Sequence, residues 1–152
     1  MSGPRICLSR SEFAAAPYLV WNAFVDIVAL NEYRDLAPEQ RPAHLVFWYD
    51  AEVGNGGHLQ FFLNRGVEQV PETIAALRRF GAEAHAAILA EANATWVAEG
   101  IEEPEHVEDY VAIALEGPFD GFDAAFHAAT PSLHDVLKRH LEASRDLYVI
   151  LD

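Results

Sequence analysis

Glu52, Asn55, Gln60 and Asn64 bring together a carboxylate and three amides, groups that can donate to and accept from one another or a ligand. They flank the run Gly54-Asn55-Gly56-Gly57 and lie among Trp48, Tyr49, Phe61 and Phe62. Gln60 and Asn64 are four apart and share one face of a helix. Two uses fit this set. In the first, the amides tie down backbone groups left open where one helix stops and the next starts. In the second, the four side chains line a small-molecule or enzymatic pocket at the glycine break and orient what enters it.

Other chemistries find less support. Cys7 is the only cysteine, so no internal disulfide or cysteine metal site can form, and a partly buried or frayed thiol is expected. There is no His-Glu-x-x-His, no calcium-loop pattern and no Gly-x-Ser-x-Gly. His106 and Asp109, next to Glu105, share a helical face, but two side chains do not make a metal site. The glycine run lacks the Lys-Ser or Lys-Thr of a phosphate loop. A helix starting after glycines can attract an anion, but here the whole molecule repels one. No catalytic residue, metal or cofactor is assigned.

The charge is unevenly placed. The chain carries a formal net charge of −14 over 152 residues, with 24 acidic and 10 basic side chains. Between Arg79 and Lys138 there is no Lys or Arg, yet half of the acids lie there. The densest part holds Glu99, Glu102, Glu103, Glu105, Glu108, Asp109, Glu116, Asp120 and Asp123. Such a surface excludes direct binding of nucleic acid or an anionic membrane by charge. It favours fast, salt-sensitive association with a basic protein. The plainer alternative is a solvated helix face that serves solubility. Four histidines in the same stretch, His85, His106, His127 and His134, can gain charge beside the acids as pH falls.

The elements that position these residues read as helices. The length suits one domain spanning 1–152, with no repeat, linker or low-complexity tract. Ser9 and Glu12 have capping-box spacing, and Leu19, Val20, Phe24, Ile27, Val28 and Leu30 recur at helical intervals. Pro17 kinks that segment or marks a late start. Residues 36–42 carry two prolines and read as a loop. Helices are expected over 42–53, 58–63, 71–80, 82–98, 105–115, 119–129 and 131–146, with glycines ending several of them. The last residues, from Leu147, are left unassigned. Period-two patterning is scarce, so the fold class is all-α, a compact multi-helix domain. With no membrane span and no leader-like segment, the expected compartment is the cytoplasm.

Residues 50–64, Asp-Ala-Glu-Val-Gly-Asn-Gly-Gly-His-Leu-Gln-Phe-Phe-Leu-Asn, resemble the motif Glu-Val-Asn-Asn-Gly-Gly-Phe-x-Gln-Phe/Tyr-Phe-x-Asn. This motif marks the bacterial family of DNA mimic protein nineteen, a family largely of unknown function. The continuation through Phe80-Gly81-Ala82 to Leu89 is also similar. The family-like core covers about 42–98, and an acidic helical part covers about 99–130. The chain departs from the pattern at Gly54, where Asn is usual, and at His58, where Phe is usual. The resemblance implies an all-helical fold. It also implies, for the family's named member, an acidic surface that imitates DNA phosphates and occupies a transcription factor's DNA-binding site.

The leading expectation is therefore a non-enzymatic, acidic protein-interaction domain. Its partner is a basic protein, such as a DNA-binding transcription factor, and the nine acids named above carry the contact. One alternative is an immunity-type inhibitor of a nuclease toxin. The other is the pocket centred on Glu52, Asn55, Gly56, Gly57, Gln60, Phe61 and Asn64. A homodimer is compatible with either interaction reading.

Overall fold

The computed structural model describes residues 3–152. Ser9 caps the first helix, α1 (Arg10–Ala15), in a reciprocal capping box: its hydroxyl accepts from the Glu12 N–H at 3.0 Å, and the Glu12 carboxylate accepts from the Ser9 N–H at 2.8 Å. Pro17 does not kink a continuous helix; it stands at the N-cap of a second one, α2 (Tyr18–Leu30). That helix buries Val20, Ala23, Phe24, Ile27 and Val28, a stripe at intervals of three and four. Leu30 is a correction to the periodic reading: it lies past the stripe and is 79% exposed.

The centre of the molecule is α3 (Arg41–Arg65), with Pro42 in its first turn. Its helical geometry fails at Gly56 and at Gly57, whose φ of 75° and ψ of −175° are open in practice only to glycine. The break expected from the glycine run is thus a sharp kink between two helical halves. Around α3 pack α2, α4 (Val70–Arg79), α7 (Asp120–Ala128) and α8 (Leu133–Ser144). A tight turn at Gly81, φ 81°, folds α5 (Glu83–Glu99) back on α4. Gly100 and Gly117 take left-handed conformations at the ends of α5 and α6 (Val107–Glu116). Eight α-helices are present among the described residues, and the all-α reading holds.

One feature departs from it. Residues Ile6–Leu8 (β1) pair in parallel with Val149–Leu151 (β2), with Cys7 opposite Ile150. Each strand is only three residues long, too short for a period-two signal. Cys7 is neither partly buried nor frayed: it sits within β1 and is exposed. Buried Gln40 fastens this closure to α3. Its Nε2 donates to the Pro4 and Leu147 carbonyls, both at 2.8 Å, and its Oε1 accepts from the Ala37 N–H at 3.0 Å.

Candidate functional site

The motif residues meet because α3 bends. In an unbroken helix Gln60 would stand about 12 Å, and Asn64 about 18 Å, along the axis from Glu52. The kink folds the second half back, so Gln60 Nε2 reaches Glu52 Oε2 at 3.1 Å and Asn64 Nδ2 reaches the same oxygen at 2.7 Å. Asn55 Nδ2 donates to Gln60 Oε1 at 3.1 Å, closing the set. Arg65 lies over the Trp48 ring at 3.7 Å with its Nε 3.9 Å from Glu52 Oε1. Glu52 is buried, so its charge needs these donors.

Both sequence readings of this set need correction. The amides make side-chain bonds instead of tying down loose backbone groups: Gln60 and Asn64 converge on the Glu52 carboxylate across the kink, and Asn55 holds Gln60. Nor do the four side chains point into a cavity. None of the four lines a described cavity; one of about 20 Å³ is lined by Trp48, Phe61 and Arg65 among others, and a groove of about 330 Å³ by Trp48 and Arg65 among others. Phe61 itself is buried, with its ring 5.1 Å from that of Tyr49. The motif is a fastener for a bent helix.

A second fastening lies on the other side of the bend. His58, one of the two departures from the motif, is wholly buried in an aromatic shell that includes Phe62, Phe122 and Phe126. Asp123 Oδ1 takes the His58 backbone N–H at 2.9 Å and ring Nδ1 at 2.6 Å. A carboxylate only accepts, so Nδ1 carries the proton and Nε2 accepts from the Tyr49 hydroxyl at 2.8 Å. Burial lowers the His58 pKa, against the opposing pull of Asp123. Burial likewise pushes the Tyr49 phenol up, so it is not a ready nucleophile. The Asp–His–Tyr chain resembles the orientation relay of acyl-transfer enzymes, but it ends in an enclosed phenol instead of an exposed hydroxyl. Among the described residues, no group of three or more His, Cys, Asp or Glu side chains is placed to hold a metal ion.

The acidic segment is laid out differently. Glu99 ends α5; Glu102, Glu103 and Glu105 lie in the connection; Glu108, Asp109 and Glu116 are on α6; Asp120 opens α7. All eight are exposed, and none forms an ion pair among the described residues. Asp123 does not join them: it is half-buried and turned inward on His58. No residue of α6 is buried. Its outer face carries Val107, Val111 and Leu115, exposed at 78%, 46% and 83%, four residues apart and flanked by the acids. Sequence reasoning marked the acids and passed over this apolar stripe, although its spacing was legible. It also passed over the partnership of Asp123 with His58, for which no local signal exists.

An all-helical domain with a doubly fastened central kink and an unpaired acidic face defines the class of protein present here. The chain belongs to the DMP19-like protein family, whose model matches residues 34–144. That span takes in the kink, both fastenings and the acidic face. No curated protein matches the chain, and no solved structure matches it. No helix is long and apolar enough to cross a membrane.

Proposed function

We propose that the domain is a protein-interaction module whose acidic face, from Glu99 to Asp120, occupies the nucleic-acid-binding surface of a basic protein. The observation that carries this reading is the set of eight exposed acids that form no ion pair among the described residues. In the free domain they repel one another, and a partner's Arg and Lys side chains relieve that repulsion through charge-assisted hydrogen bonds. Membership of the family and the resemblance of residues 50–64 to that of DNA mimic protein nineteen support the DNA-mimic form of this reading. The fastening of His58 to Asp123 supports it mechanically: it anchors α7, and with it one end of the acidic face, to the core.

The test compares two immobilised baits, the wild-type domain and one with Glu102, Glu105, Glu108 and Asp109 changed to Lys. The baits are exposed to a lysate at low salt and eluted with a salt gradient. A stoichiometric basic protein, held by the wild type only and displaced by duplex DNA, is the expected result. Equal capture by both baits would sink the proposal.

A further inference from the structure

We propose that the groove between the α1–α2 corner and α8 is a binding site for a small amphipathic anion, an apolar or aromatic body bearing one carboxylate. The groove is a cavity of about 600 Å³, within the range of small-molecule sites. Its floor is apolar, from buried Val20 and Leu141, and its walls include the rings of Phe13 and Trp21. Pro17, at the N-cap of α2, stands at the corner between the two helices and also lines the groove.

The rim supplies the charge. Leu141, Lys138 and Arg145 are spaced at three and four residues, so one face of α8 and its following turn presents both floor and cations. Lys138 is the only lysine of the chain and makes no ion pair among the described residues. Arg145 meets the exposed carboxylate of its neighbour Asp146 at 3.4 Å and lies over the Phe13 ring at 5.7 Å, and its Nε is enclosed without an acceptor. A guanidinium offers five N–H donors, so most of this one's capacity is unspent. An incoming carboxylate supplies the acceptor it lacks. Glu142 and His134 also line the groove; Lys138, Arg145 and Glu142 together carry one net positive charge, and the weakly held Asp146 lies outside the lining, so an entering monoanion competes with it for Arg145. A fully hydrated inorganic ion gains nothing from the apolar floor, and a neutral hydrocarbon gains nothing from the rim. This cationic groove sits on a molecule of net charge −14, and it shares no residue with the acidic face.

The full-length chain is titrated with anilinonaphthalene sulfonate, a fluorescent amphipathic anion, and the probe is then displaced with decanoate or with decanol. Saturable one-to-one binding is expected, with decanoate displacing the probe at least about tenfold more effectively than decanol. Lys138→Glu, an exposed substitution, should weaken decanoate about tenfold with the helical signal unchanged. Leu115→Ser, on the exposed stripe of α6, should leave binding as it was. Absence of saturable binding, equal competition by decanol, wild-type affinity in Lys138→Glu, or loss of binding in Leu115→Ser would each overturn the assignment. None of these outcomes bears on capture of a basic protein by the acidic face.

Discussion

Gly57 is the residue on which the central bend turns. A Cβ there would meet the Asp123 carboxylate, and its φ of 75° with an extended ψ is closed to other residues. Gly57→Ala should therefore cost about 1–3 kcal/mol from backbone strain alone, with the collision added to it. Gly54, three residues earlier, is helical and faces open space. Gly54→Ala should be neutral or stabilise by up to about 1 kcal/mol, because alanine restricts the unfolded chain. Urea unfolding of the two variants reads the contrast, and equal effects would refute the account of the kink. Asp123 is the second residue to test. Asp123→Ala strands the enclosed Nδ1–H of His58 and should cost about 2 kcal/mol, whereas Asp123→Asn keeps an acceptor and should cost clearly less. If the two variants unfold alike, the carboxylate is not the fastener. The sequence shows Asp123 only as one acid in an acidic run. Its partner lies 65 residues away, and no count of charge tells which carboxylate turns inward. The set on Glu52 was legible as a set, because its members lie near one another in the chain. Its purpose was not, because only the bend brings Gln60 and Asn64 onto one oxygen of Glu52.

At the level of elements, what could be read depended on length. Helices such as α2, α5 and α8 announce themselves through apolar spacing and through Pro or Gly at their ends, and Ser9 with Glu12 marks the start of α1 outright. Leu30 shows the limit of spacing as a guide: it follows the period yet, as the last residue of α2, is exposed. The terminal strands fall below any periodic signal. What holds them is Gln40, whose side chain serves two carbonyls and one N–H from three separate segments. Gln40→Leu removes all three bonds while keeping the bulk. It should cost about 1–3 kcal/mol, since the stranded groups stay near the core. Amide hydrogen exchange at Ile6 and Asp152, whose N–H groups bond to the Tyr148 and Leu8 carbonyls, should speed up more than exchange in α3. Unchanged protection of the strands would mean that pairing alone holds the termini.

On the scale of the whole molecule, two opposing charge effects set the response to solution conditions. Burial lowers the pKa of His44, His58, His85 and His140 from the usual 6.5 or so. Above that value neither the folded nor the unfolded chain protonates them. As pH falls through about 6.5, the unfolded chain takes up protons that the folded one refuses. Stability then falls, by up to about 1.4 kcal/mol per pH unit for each such histidine, until the lowered folded pKa values are reached. Asp50 works the other way, because burial raises its carboxyl and the folded state holds that proton more tightly. Its window runs from that raised pKa down to the ordinary aspartate value near 4, and it is one carboxyl set against four imidazoles. Between about pH 7.5 and pH 5.5 the histidines therefore set the slope, and the urea midpoint should drop. Salt acts on the other effect. The repulsion within the acidic face is largely a surface term, screened over about 10 Å at 0.1 M ionic strength. Raising sodium chloride from about 0.02 to 0.2 M at neutral pH should raise the midpoint while weakening capture of a basic partner. A midpoint that is flat or rising as pH falls would mean that the four imidazoles are not held neutral by the fold. A midpoint indifferent to salt would mean that the acids of α6 and its flanks exert no strain for a partner to relieve.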